Sequence, residues 1–211
     1  ILLGVAYQDW SGNRVCEEHN KCFCSSCGRY YGAKATEIVS GEWLCENCKN
    51  NLPDKAGVEK TVSYIRTFYK QHGLEVQSHV VLKGVTAAQM ARLYSSDARG
   101  YVELPQSSDG YHIIVRRYLA RAVLAMVLSH ELLHVWQYEH HINPPAAICE
   151  GFCNLGAYLI MQSIHTPTAM GQIELLNGDT DAIYGEGFRT MRTMYEQNGL
   201  PAVIAYMKSF R

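Results

Sequence analysis

The sequence predicts an α+β protein, helices with a small sheet, preceded by a small cysteine-rich module. Three observations carry this reading. Six of the eight cysteines fall between Cys16 and Cys48. Apolar residues recur at helical spacing over residues 58 to 71, from Tyr118 to about His140, and again from the Pro144-Pro145 step to about Ser163. Short alternating stretches, Glu75 to Leu82, Tyr101 to Leu104 and Tyr111 to Val115, have the period of strands.

Taken in order, residues 1–52 form the module and residues 53–211 the larger domain, with the punctuation Asn50-Asn51-Leu52-Pro53-Asp54 between them. A chain of 211 residues can bury the core of a domain of about 150 residues and still carry such an appendage. The first helix places Val62, Ile65, Phe68 and Tyr69 on one side, and Gly73 supplies its stop. A second helix begins near Thr86. The two strands 101–104 and 111–115 flank Gln106-Ser107-Ser108-Asp109-Gly110, a hairpin turn. Asn143-Pro144-Pro145 ends one long helix and starts the next. A final helix pair, about Ile183 to Gln197 and Leu200 to Phe210, is divided by Asn198-Gly199.

The charge balance, 19 basic against 20 acidic residues with no run of one sign, excludes nucleic acid as an expected partner. The longest apolar stretch, Leu119 to Leu133, is interrupted by Arg121, Ser129, His130 and Glu131, so it reads as a buried helix rather than a membrane span. The opening Ile1-Leu2-Leu3-Gly4 lacks an initiator Met and the pattern of a secretory signal, and is read as a cut. Cysteines in short-spaced pairs suit metal binding in a reducing compartment, so a soluble, cytoplasmic protein is expected. Cys149 and Cys153, four apart in a helix, are expected to be core thiols.

Chemistry enters with Ser129-His130-Glu131-Leu132-Leu133-His134, an H-E-x-x-H motif inside a helical stretch. Four residues is about one turn, so the two imidazoles share a face and can converge on one ion. Zinc suits two imidazoles and a carboxylate, with one position left for water. Glu131, about 100° round the helix from His130, is turned away from ligation but near enough to take a proton from that water. This is the chemistry of peptide hydrolysis. Glu150, sixteen residues beyond His134 on the next helix, is the expected third ligand; Glu139 and His141 compete with it. Gly151 is expected to let the two helices approach closely. Asn154, one turn later, is a candidate acceptor for a ligand histidine's second nitrogen, and Tyr184 a candidate donor to the developing oxyanion, against the plainer alternative of an ordinary core tyrosine. His112 and His165 are weaker candidates for the site. If strand 111–115 lies at a sheet edge beside the site, an extended substrate could pair with it.

Cys24-x2-Cys27, seventeen residues, then Cys45-x2-Cys48 is a four-thiolate zinc pattern, closed and therefore structural. Upstream, Cys16 and His19 supply half of another zinc site, to be completed by residues before the start or by Cys22, or left empty.

These motifs together resemble the plant Da-type LIM peptidases, a family of ubiquitin-activated zinc metallopeptidases. The resemblance rests on the C-x2-H, C-x2-C, C-x2-C series, the helix through Tyr64 to Tyr69, and the block Ser129-His130-Glu131 to His134-Val135-Trp136. It extends to Glu150-Gly151-Phe152-Cys153 and Tyr184-Gly185-Glu186-Gly187-Phe188-Arg189. It implies a gluzincin-like metallopeptidase domain behind a LIM-like module, and zinc on His130, His134 and Glu150 with Glu131 as base. One or two structural zincs are implied as well, with selected regulatory proteins as substrates and ubiquitin or ubiquitin ligases as partners. Two features depart from the family: no ubiquitin-interacting helix and no first LIM half-site are found in this sequence. The competing expectation is a non-enzymatic adaptor whose peptidase-like domain is a scaffold; it would hold thiolate-bound zinc alone.

Overall fold

A computed structural model describes residues 7–19, 22–32, 34–104 and 110–211. The opening Ile1 to Gly4 and the turn residues 106–109 lie outside them. The architecture is α+β with small sheets. The elements are β1 (Tyr7–Gln8), β2 (Arg14–Val15), β3 (Thr36–Val39), β4 (Glu42–Leu44), α1 (Glu46–Asn50), α2 (Lys55–Gln71) and β5 (Val80–Val85). They continue with α3 (Ala87–Leu93), β6 (Gly100–Glu103), β7 (Tyr111–Arg116), α4 (Arg121–Glu139), α5 (Ala146–Ile164), α6 (Pro167–Gly178) and α7 (Tyr184–Lys208).

The first segment makes two antiparallel ribbons, β1 with β2 and β3 with β4, around the cysteine cluster. Its core is continuous with that of the larger domain. Ser26 Oγ accepts from Ala120 N–H at 2.9 Å, and Asn51 C=O accepts from Arg121 N–H at 3.0 Å, so the module holds the N-terminal turn of α4.

Asp54 caps α2 by accepting from Gly57 N–H at 2.7 Å. The helix ends in a Schellman turn: Leu74 N–H reaches Tyr69 C=O, Gly73 N–H reaches Lys70 C=O, and Gly73 takes φ 77°. The strand expected from Glu75 begins only at Val80. The intervening backbone bonds to side chains instead, since Arg66 donates to Val76 and Ser78 carbonyls and Glu139 accepts from Gln77 and Ser78 N–H. Thr86 caps α3 in a capping box with Gln89.

The three-stranded sheet has the order β5-β7-β6, parallel between β5 and β7 and antiparallel between β6 and β7. The β6–β7 pairing agrees with the expected hairpin, with Tyr101 opposite Ile114 and Val102 opposite Ile113. The strand 111–115, however, is central. The edges are β5 and β6, which flank β7 on either side.

Helices α4 and α5 form the spine. His130 meets Asn154, His134 meets Cys149 and Trp136 meets Phe152. One turn back along α4, from His134 to His130, is matched by one turn forward along α5, from Glu150 to Asn154, so across the short 140–145 connection the two run antiparallel. Between them His141 takes φ 54°, with Ile142 N–H bonded to Gln137 C=O and His141 N–H to Tyr138 C=O.

The glycine that admits the α4–α5 approach is Gly156, where a Cβ would meet Leu133 Cδ1 and the Tyr69 hydroxyl. Gly151, expected in that role, faces α7: its missing side chain is occupied by the backbone of Gly187, and Gly187 in turn abuts the Ala147 carbonyl. Helix α6 was not foreseen, although Thr166 accepting from Ala169 N–H with Pro167 in the first turn is an ordinary helix start. The expected final helix pair is present, divided by the non-helical Gly199 at φ 75° inside α7. No helix among the described residues is long and apolar enough to cross a membrane.

The α5–α7 contact yields a stability prediction. Gly151→Ala should lower the unfolding free energy by about 1–3 kcal/mol, since the facing atoms are backbone and cannot rotate away. Gly178→Ala, with nothing within 4 Å, serves as the control and should change it by less than about 1 kcal/mol. Urea unfolding of the two variants measures both, and equal midpoints would contradict the close approach.

Candidate metal centres

Cys24, Cys27, Cys45 and Cys48 form a tight, buried cluster compatible with a structural zinc, their sulfurs all within 4.8 Å of one another. The sulfurs of Cys27 and Cys45 are 4.0 Å apart, against about 3.8 Å for tetrahedral thiolates around one zinc. Two backbone donors support the sulfurs, Cys45 N–H to Cys24 at 3.4 Å and Cys48 N–H to Cys45 at 3.5 Å. The thiols also compete for protons: hydrogen bonding between Cys27 and Cys24 holds Cys24 down, to about 6, and pushes Cys27 up. A divalent cation removes that competition by stabilising every thiolate at once. Cys16 and His19 lie farther out, fully exposed, with sulfur and Nδ1 3.2 Å apart. Among the described residues the third group gathered with them is Glu18 rather than Cys22.

The second centre is on the spine. His130 Nε2 lies 3.1 Å from His134 Nε2, 3.1 Å from Glu150 Oε2, and the same carboxylate oxygen is 3.5 Å from His134 Nε2. Tetrahedral donors each about 2.0–2.1 Å from a common ion would stand about 3.3 Å apart, so these three atoms have the spacing that a zinc requires. Both ring nitrogens are used. His130 Nδ1 is 2.9 Å from Asn154 Oδ1, and His134 Nδ1 is 3.7 Å from Cys149 Sγ, so each ring has an acceptor that leaves Nε2 free to face Glu150.

The sulfurs of Cys149 and Cys153 also come within 4.8 Å of donors in this group. Geometry assigns them to support. Cys149 stands on the Nδ1 side of His134, and buried Cys153 accepts from Gln137 Nε2 at 3.1 Å. Cys149 is thus half-buried and engaged with a ring, which corrects its expected place as a core thiol; Cys153 does sit in the core. Its signal in the sequence was its adjacency to Glu150.

The other candidates separate cleanly. Glu139 is committed to the amides of Gln77 and Ser78. His141 is the left-handed residue that stops α4, His165 plays the same part after α5, and His112 lies on β7, 3.7 Å from Glu103.

A cleft of about 690 Å³ opens over the His130, His134 and Glu150 group, bounded by β6 (Gly100, Tyr101, Val102) and by Tyr94, Tyr138 and Tyr184. Glu131 lines it and is buried, and burial raises its carboxyl above the ordinary range, partly offset by the two histidines. A Cβ on Gly100 would stand 2.9 Å from Glu131 Oε1 and 2.7 Å from Val127 Cγ1, so a side chain there would crowd the carboxylate. Tyr184, the first residue of α7, has its phenol pushed up to about 12 by partial burial and by the nearby Glu150 charge, and its carbonyl accepts from Asn154 Nδ2 at 3.2 Å.

Electrostatics around the group favour positive charge. Burial works against a charged His134, yet Cys149 and Glu150 overcome it and lift the ring to about 10. Burial likewise works against ionised Glu150, and hydrogen bonds from His130 and His134 hold it down at about 2.

For the thiolate cluster, Cys24→Ser should release about one equivalent of tightly held zinc and lower the thermal midpoint by at least about 5 °C. Elemental analysis with a melting curve tests this, and unchanged zinc content would remove the cluster as a metal site. No protein-family model, curated protein or solved structure matches the chain.

Proposed function

We propose that this chain is a zinc-dependent endopeptidase, with the ion on His130, His134 and Glu150 and Glu131 as the proton-transfer group. The observation that carries the reading is the spacing of three donor atoms from two helices, 3.1, 3.1 and 3.5 Å, within a cleft that also holds a second, buried carboxylate, Glu131. We extend the reading to a gluzincin-like domain bearing a LIM-like module, acting in the cytoplasm on selected regulatory proteins.

When bound, zinc supplies Lewis acidity, polarising the scissile carbonyl and lowering the pKa of water. The rest is assigned to the chain's own groups. Glu131, whose burial raises its proton affinity, takes the proton of the attacking water and passes it to the leaving amine. The Tyr184 hydroxyl donates to the carbonyl oxygen as negative charge builds there; its high pKa keeps the proton available. Asn154 and Cys149 orient the imidazoles. The free edge of β6 offers backbone N–H and C=O groups to an extended polypeptide, with Tyr94 and Tyr101, stacked at 5.1 Å, walling the cleft beside it. This edge takes the part first expected of the 111–115 strand.

Three variants test the proposal. Glu131→Gln should keep both zinc equivalents and lower cleavage of an unfolded casein substrate by about 10²–10⁴-fold; wild-type rates in this variant would refute the mechanism. Replacing His130 and His134 together should remove one equivalent and leave the thiolate-bound one, whereas an adaptor would hold only thiolate-bound zinc from the outset. Asn154→Ala should weaken zinc binding at the histidine site by about 10–100-fold with the Cys24 cluster unaffected, read by competition with a chromogenic chelator.

A further inference from the structure

A second cavity, about 940 Å³, uses a different face of α4 from the histidines. Its floor is Leu124, Leu128 and Leu132, spaced one turn apart. One wall is the α2 face through Val58 and Val62, and the other is the sheet surface of Val80, Leu82, Ile113 and Val115. The α2 wall spans Lys55 to Thr67, about 18 Å, and the strand wall Val80 to Gly84, about 13 Å, so the space is an elongated trough. Val58, Val62, Val80 and Leu82 are only half-buried, although each faces apolar neighbours across the gap.

The ends of the trough are basic. Lys55, Arg66, Arg116 and Arg117 line it against a single carboxylate, Glu59. Arg66 and Arg117 bond to backbone carbonyls, of Val76 and Ser78 and of Gly84, and pair with no carboxylate among the described residues. Arg116, alternate to Ile113 and Val115 along β7, belongs to the opposite face of the sheet, where it pairs with Glu42 at 3.3 Å.

We propose that this trough is a binding site for an anionic amphiphile, an acyl-chain carboxylate or its like. The chain would lie along Val62, Leu82 and Leu128 and the head at Arg117, whose guanidinium lies beside Gly84 at the trough end. The size and apolar walls match a ligand pocket, and the charge at its end selects the sign of the head. The site is independent of the histidine centre and stands or falls without it.

Calorimetric titration of the 211-residue chain tests it, using dodecanoate and dodecyltrimethylammonium below their micelle concentrations. Dodecanoate should bind saturably at one per chain, about tenfold or more tighter than the cationic amphiphile of equal chain length. Val62→Trp, which fills the trough, should abolish binding with zinc content unchanged. Arg117→Glu, at an exposed position that does not threaten folding, should weaken dodecanoate by about tenfold and strengthen the cation. Equal binding of both head groups, no saturable binding of either, or indifference to Arg117→Glu would overturn the proposal; capture of an amphipathic helical peptide alone would do the same.

Discussion

The structure depends on the register between two antiparallel helices. Three donor atoms from α4 and α5 meet within 3.5 Å, and sliding either helix by one residue would rotate its side chains by about 100° and scatter them. Several contacts hold that register. Trp136 and Phe152 face each other with ring centroids 5.5 Å apart, Leu133 fills the space left by Gly156, and Gln137 reaches Cys153. From outside, Tyr69 of α2 donates to the Ser129 carbonyl, and α7 clamps α5 where Gly187 lies against Gly151. The turn is fixed as well, with His141 in the left-handed region and Asn143 N–H bonded to the Phe210 carbonyl.

Such a spine buries an unusual set of groups. Two imidazoles and two carboxylates in a helical core are costly unless their charges and donors are matched. The matching is partial within the chain: Asn154 and Cys149 satisfy the outer ring nitrogens, while the inner nitrogens and the Glu150 oxygen face one another. Lone pairs turned toward one point repel unless a cation or shared protons lie between them. The upward displacement of His134 and the downward displacement of Glu150 express that demand for positive charge. The thiolate cluster presents the same problem with four sulfurs, so the two centres share one electrostatic logic and differ in access. The sulfurs are enclosed, and the histidines open on a cleft.

What was legible in the sequence followed from periodicity and spacing. The turn between His130 and His134, the Asn143-Pro144-Pro145 break and the Cys24 to Cys48 pattern depend on neighbours along the chain, and the structure brings those groups together. Asn154 was also legible, because one turn beyond Glu150 on an antiparallel partner faces one turn before His134. What failed was long-range. Gly151 could not reveal which helix it faced, since α7 arrives from thirty-six residues away in the chain. Which strand forms the sheet edge stayed open because strand order is a property of the sheet, and β5 pairs with β7 in parallel, which no local pattern announces. The apolar residue pattern from Glu75 overran the true strand because Arg66 and Glu139, distant in sequence, take up that backbone's hydrogen bonds. Helix α6 escaped because its start signal, Thr166-Pro167, precedes a segment with little amphipathic contrast: the stripe of Ala169, Ile173 and Leu176 is buried together with Gly171 and Gln172, while Met170 and Leu175 are exposed.

That last helix also ties the two centres together. Gln172 donates to the Cys27 carbonyl at 3.1 Å and accepts from Arg99 at 3.2 Å, and Trp10 donates to the same carbonyl at 2.8 Å. Arg99 immediately precedes β6, and its own carbonyl accepts from Arg116 N–H. The loop carrying two of the cluster's cysteines is therefore linked through one buried glutamine to the strand that forms the cleft wall over Glu131. A short β6, four residues at a sheet edge, has few ladder bonds of its own and depends on such anchors for its position. The Cys24 to Cys48 cluster and the cleft edge beside the histidine group are thus joined by a continuous run of hydrogen bonds through Cys27, Gln172 and Arg99.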